Sequence, residues 1–108
     1  MLIHKDLSLD RWSKLSLAEQ MSNIGSEVIR ALRWKEKGNN KYAKEANLRA
    51  LELFDLTLSN KVNEASLKEV ARSRELWLDY FLGKNQYRQT AKMWEKYFFS
   101  FNFLAQNK

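Results

Sequence analysis

The sequence has no cysteine and no proline, and its only glycines are Gly25, Gly38 and Gly83. Without cysteine there is no disulfide framework, no thiolate zinc site and no cysteine nucleophile, a pattern that fits a reducing compartment. Without proline, little interrupts regular backbone apart from a few turns, so long helices are expected. Histidine is almost as scarce. His4 stands alone, with no second group at motif spacing to orient it, so neither a Ser-His-Asp triad nor a histidine metal site is expected. A helical ribonuclease that pairs an arginine with a histidine a few residues later has no counterpart here. The Glu-x-x-His repeats of a di-metal bundle are missing as well. Three scattered glycines make neither a phosphate loop nor a dinucleotide fingerprint. The sequence therefore reads as that of a non-enzyme without a cofactor. No stretch approaches the roughly 18 uncharged apolar residues of a membrane span, and the opening Met1 to Trp12 lacks the apolar run of a secretory signal. A cytoplasmic protein without a membrane partner is expected.

What remains is enough to fold. At 108 residues, 44% of them hydrophobic and 30% charged, the chain is too apolar for a disordered segment and long enough for one core, so residues 1–108 form a single domain. Matching apolar residues to a 3.6-residue period gives four amphipathic segments. The first, Leu17 to Lys37, opens on the capping box Ser16-Leu17-Ala18-Glu19, stops before Gly38, and carries the stripe Leu17, Met21, Ile24, Val28, Ala31 and Leu32. The second, Lys41 to Leu58, places Tyr42, Ala46, Ala50, Leu53 and Leu56 on one face, with Leu51, Phe54 and Leu58 opposite. A helix apolar on two sides predicts a second buried contact, with another subunit as a candidate. The third, Glu64 to Leu82, follows the turn Ser59-Asn60-Lys61, with Asn63 or Ser66 as N-cap and Leu67, Val70, Ala71, Trp77, Leu78 and Phe81 in its stripe. The fourth, Thr90 to Gln106, follows Gly83-Lys84-Asn85 and aligns Ala91, Trp94, Phe98, Phe101 and Ala105. Short connections make neighbouring helices antiparallel. The expected fold is all-α, an up-down-up-down four-helix bundle, with residues 1–15 as an N-terminal arm packed on the bundle or on a neighbour.

Within this frame Glu27 lies at the edge of the first stripe, while Arg49 and Arg74 fall inside the second and third. An ion-pair network that fixes helix register is the expectation, since buried charge survives only when paired. Trp77, Trp94, Phe98 and Phe101 read as core. Phe99 and Phe103, four apart and off the stripe, read together with Leu51, Phe54 and Leu58 as an interface for self-association or a larger protein partner.

The net charge of +6 is uneven. Residues 30–49 hold seven basic against two acidic side chains, and residues 84–108 five against one, leaving the rest of the chain net acidic. In an up-down-up-down bundle the two basic clusters share one end. Lysines after a helix C-terminus complement the macrodipole, but Lys41, Lys44, Arg88 and Lys92 lie at or near helix N-termini, where acids are preferred. Arg30, Arg33, Lys37, Lys41, Lys44, Lys84, Arg88 and Lys92 are therefore candidates for contacting a phosphate backbone, RNA or DNA.

The stretch Trp12-Ser13-Lys14-Leu15-Ser16-Leu17-Ala18-Glu19-Gln20, with Asn23-Ile24-Gly25-Ser26-Glu27-Val28 and Arg30-Ala31-Leu32-Arg33-Trp34-Lys35-Glu36-Lys37-Gly38-Asn39, resembles a small prokaryotic family without an assigned activity. In architecture, size and charge the chain also resembles the four-helix proteins encoded in ribosomal-RNA intervening sequences and the accessory proteins of diversity-generating retroelements. That resemblance implies a basic, non-enzymatic homo-oligomer that binds nucleic acid or a reverse transcriptase. It assigns no role to any individual residue.

Overall fold

The computed structural model describes residues 9–59 and 64–106, and all regular structure among them is helical. The helices are α1 (Leu9–Ser13), α2 (Leu17–Glu36), α3 (Asn40–Leu58), α4 (Glu64–Phe81) and α5 (Ala91–Gln106). Local chemistry sets their ends. The Ser16 hydroxyl accepts from the Glu19 amide at 3.1 Å while the Glu19 carboxylate accepts from the Ser16 amide at 3.0 Å, closing the capping box of α2. After Lys37 the chain turns at Gly38, whose φ of +77° is strained for any residue with a Cβ. The Asn39 side chain then caps α3 by accepting from the Tyr42 amide at 3.0 Å. Thr90 does the same for α5 through the Met93 amide at 3.2 Å. Because α4 begins at Glu64, Ser66 falls inside its first turn rather than capping it. Asn63, Asn60, Lys61, His4 and the apolar Leu2, Ile3 and Leu7 of the expected arm lie outside the described residues.

Side-chain pairs give the packing. Contacts that climb α2, from Glu27–Arg49 to Trp34–Tyr42, descend α3. Those from Ser22–Asn102 to Gly25–Phe98 descend α5. Along α3 and α4, Asp55 meets Arg74 and Asn47 meets Trp77. Along α4 and α5, Ser73 meets Tyr97 and Trp77 meets Trp94. Met21, Ile24, Val28, Leu32, Phe54, Val70, Trp77, Trp94 and Phe98 are buried in one continuous core. Two indoles enter it with their polar atoms satisfied: Trp77 Nε1 donates to Asn47 Oδ1 at 2.7 Å, and Trp12 Nε1 donates to Thr57 Oγ1 at 2.8 Å. The described part of the arm thus packs on its own chain. Gln20 holds it there by donating to the Trp12 carbonyl at 2.9 Å.

Three expectations need correction. Phe54 is fully buried and Leu51 and Leu58 pack half-buried on the core, so these three do not form a free surface for a subunit contact. The second face of α3 is covered within the chain, because α4 and α1 lie against α3 in addition to α2. For the same reason the buried seam of α3 runs through Ala43, Ala46, Asn47, Ala50, Leu53, Phe54 and Thr57, and Tyr42 is left 44% exposed. In α4, Val70, Ser73 and Trp77 are the buried positions and Leu76 packs on the core, whereas Leu78 stands outside that cluster.

At Gly25, α2 and α5 approach closely: an added Cβ would lie 2.6 Å from Phe98 Cβ. In an unobstructed helix Gly→Ala stabilises by about 1 kcal/mol. Here Gly25→Ala should instead cost about 1–3 kcal/mol, as overpacked cores do, when unfolding is followed in denaturant. A stabilised variant would mean that α5 does not lie this close. Leu53→Ala should cost about 2–5 kcal/mol as a buried position.

Candidate functional site

Glu27 is the one buried carboxylate in the described core, its side chain 10% exposed. Its two oxygens are taken by different arginines: Arg30 Nη1 lies 2.7 Å from Oε1, and Arg49 Nε lies 2.8 Å from Oε2. This pairing satisfies the carboxylate and ties α2 to α3 across a partly desolvated contact. Arg74 belongs to a separate, more exposed pair with Asp55 at 3.1 Å. Of the candidate phosphate contacts, Arg30 therefore has its charge offset by Glu27, although the residue itself is exposed.

The other seven, Arg33, Lys37, Lys41, Lys44, Lys84, Arg88 and Lys92, are all exposed. The helices carry them towards one end. The Lys35 ammonium lies 5.0 Å from the Phe81 ring centroid and 5.9 Å from that of Tyr80, so α2 and α4 finish side by side. Trp34 touches Tyr42 at the start of α3, and Tyr80 faces Trp94 in the first turns of α5. Neither α3 nor α5 has an acid in its first turn, where Lys41 and Lys92 stand instead. Lys84 and Arg88 come from the connection 82–90, one residue longer at each end than the 83–89 expected. Its shape is held by Asn85, whose side chain accepts from the Gln89 amide at 2.8 Å and donates to the Gln89 carbonyl at 2.9 Å. Asn85 and Arg88 both have positive φ, 54° and 51°. Acids share this region: burial and then the Glu36 charge push the Tyr80 hydroxyl pKa up, Asp79 accepts from the Tyr87 amide at 3.4 Å, and Glu45 and Glu95 follow Lys44 and Lys92 on α3 and α5.

Two hollows flank this end. One, of about 320 Å³, lies along the outer face of α2 and is lined by Ser26, Ile29, Arg30, Arg33, Trp34 and Lys37. The Lys37 ammonium sits 5.2 Å from the Trp34 ring, and Tyr42 meets that ring edge-on at 4.9 Å and 77°. Tyr42, expected in the core from its helical spacing, instead borders this hollow beside Trp34, which no apolar stripe includes. The available signal was the helical spacing of Ser26, Ile29, Arg33 and Lys37, a second stripe on the face of α2 away from Met21, Ile24 and Val28.

The other hollow, of about 210 Å³, opens between α4 and α5 and is lined by Ser73, Leu76, Gln89, Met93, Trp94 and Tyr97. With no cation in its lining it is not suited to an anion. Ser73 and Tyr97 share a 2.7 Å hydroxyl contact there. Phe99 and Phe103, the remaining interface candidates, are 68% and 62% exposed on α5, with Leu104 beside them.

Among the described residues no group of three His, Asp or Glu side chains is placed to hold a metal ion, and no helix is long and apolar enough to cross a membrane. Comparison of the chain with protein-family models, curated proteins and solved structures finds no match to any of them.

Glu27→Gln should destabilise by about 1–3 kcal/mol, because two charge-assisted hydrogen bonds lose their anion. Arg30→Gln, removing only the more exposed partner, should stay within about 0.5 kcal/mol. Equal losses in denaturant unfolding would refute this division. Burial, reinforced by the Glu69 charge and opposed by the Ser73 hydrogen bond, raises the Tyr97 pKa above its usual 10.0. The folded state thus favours neutral Tyr97. That contribution is complete below the unfolded pKa of about 10 and is lost as pH rises through the higher folded value. Stability measured across this range should fall less steeply in Tyr97→Phe than in the parent protein.

Proposed function

We propose that α2 to α5 form an up-down-up-down four-helix bundle. Its basic end, where α2 and α4 finish and α3 and α5 begin, is a non-catalytic surface for the phosphate backbone of RNA or DNA. The observation that carries this reading is the choice of Lys41 and Lys92, with no acid, in the first turns of two helices that start at one end. Helix N-termini already present a positive dipole, and adding cations there works against folding. A polyanion outside the chain reverses that sign, because it is attracted by the same amides and side chains. The resemblance to intervening-sequence and retroelement accessory proteins agrees in size, charge and helical make-up. It supports a cytoplasmic homo-oligomer acting beside a larger machine.

A second reading rests on Phe99, Phe103 and Leu104. Three large apolar side chains exposed along one helix suit a protein partner or a second copy of the chain. In that case the protein is an adaptor or oligomerisation module and its charge serves solubility.

Retention of single- and double-stranded RNA and DNA at low salt separates the two. Binding should tolerate sequence and fall linearly in log affinity with log salt, by about 0.9 per neutralised duplex phosphate. Replacing Lys41, Lys44 and Arg88 together by Glu should abolish retention with the helical spectrum unchanged. A Glu in place of Lys41 also suits the dipole of α3, so unfolding would not account for the loss. The adaptor reading expects the triple variant to keep its partner and Phe99→Ser with Phe103→Ser to lose it. Failure of the parent protein to retain any nucleic acid at low salt would overturn the first reading.

A further inference from the structure

The recess along α2 holds more than charge, and its aromatic component distinguishes among nucleic acids. Trp34 is half-buried, yet it is not among the side chains that pack on the hydrophobic core. Its neighbours are Arg33 and Lys37, one turn apart, the apolar Ile29, and Tyr42, which meets it edge-on and is itself 44% exposed. A duplex offers such a site little, because its phosphates face outward while its base faces are stacked on one another. An unpaired strand offers both at once: a free base face for an aromatic ring and flanking phosphates for cations.

Resting on the phosphate-binding reading above, we infer that this recess is a single-strand subsite, taking one unpaired base of RNA or DNA against Trp34 while Arg33 and Lys37 hold the adjoining phosphates. Tyr42 meets the indole in a T-shaped contact at 4.9 Å that braces it against the start of α3. The Lys37 ammonium, 5.2 Å from the Trp34 ring in the free protein, covers the face that the base would take. An incoming base displaces it, and the freed ammonium finds a phosphate at the same place. A cation–π contact at an exposed site is weaker than base stacking combined with a phosphate contact, so the exchange favours the bound strand. Arg30 remains with Glu27 at 2.7 Å and frames the recess without leaving its partner.

The test uses the full chain with three oligonucleotide probes of equal length at one salt concentration: a single strand, the same strand with abasic sites, which keeps every phosphate, and a duplex, which carries twice as many. The single strand should bind most tightly. Removing bases should weaken it by roughly 5- to 150-fold, the range that base stacking on one aromatic side chain supports. Trp34→Ala should produce a similar loss on the intact strand, no further loss on the abasic one, and no change on the duplex, while Trp34→Phe should restore most of the affinity. The comparison of strands on the parent protein does not depend on any variant folding. Equal binding of all three probes would overturn the single-strand subsite and leave the phosphate surface standing. No binding of any probe would overturn both.

Discussion

The contact between Gly25 and Phe98 sets how closely α5 can lie on α2, and much of the rest depends on it. With only hydrogen on the α2 side, the Phe98 ring enters the space that a methyl group would fill. Phe98 stacks on Trp94 at 6.0 Å, and Trp94 meets Trp77 edge-to-face at 5.5 Å. Position is passed in this way from α2 through α5 to α4. The Trp77 hydrogen bond to Asn47 carries it on to α3. One glycine near the middle of α2 thus lies at the head of a chain of contacts that reaches all four long helices. An aromatic relay of this kind tolerates little change in volume, because interiors at native density have no room to absorb it.

The four long helices were legible in the sequence to within a residue or two, since their signals are local, whereas the short α1 fell within the stretch expected as an arm. Ser16 and Glu19, Gly38 and Asn39, and Thr90 act on neighbouring backbone amides or on their own φ, and nothing distant can overrule them cheaply. The faces were less legible. Leu51, Phe54 and Leu58 read as a surplus apolar side because periodicity shows how many faces a helix buries and not what covers them. The cover comes from α4, and from α1 with Trp12, forty-five residues away from its hydrogen-bond partner Thr57. Tyr42 and Leu78 exchanged roles with Ala43 and Leu76, one and two positions away, because periodicity alone does not say which flanking position a neighbouring helix covers. Phe99 and Phe103, by contrast, stand exposed as their spacing implied.

Charge shows the same division between what is local and what is not. The run from Arg30 to Arg49 looked like one basic block. The fold splits it, drawing Arg30 and Arg49 to Glu27 and leaving Arg33, Lys37, Lys41 and Lys44 on the surface. Lysine spacing could not reveal this, because Glu27 recruits one arginine from its own helix and the other from twenty-two residues further on. The pairing also lowers the repulsion that seven cations in twenty residues would otherwise impose, and it does so near the middle of α2 and α3 rather than at their shared end. Arg33, Lys37, Lys41 and Lys44 stand exposed on either side of the turn between α2 and α3.

The four tryptophans sharpen the point. Trp12 and Trp77 are buried with their N–H groups bonded, to Thr57 and Asn47. Trp94 is buried with its Nε1 lacking a hydrogen-bond partner, against the aromatic rings of Trp77, Tyr97 and Phe98. All three belong to the core cluster, whereas Trp34 does not. An indole left half in solvent forgoes much of the burial that makes tryptophan valuable inside a protein. Trp34 instead stands among Arg33, Lys37 and Tyr42, where flat apolar surface and positive charge adjoin. That combination matches a ligand which itself alternates flat rings and negative charge, and an unpaired polynucleotide strand has this alternation along its whole length.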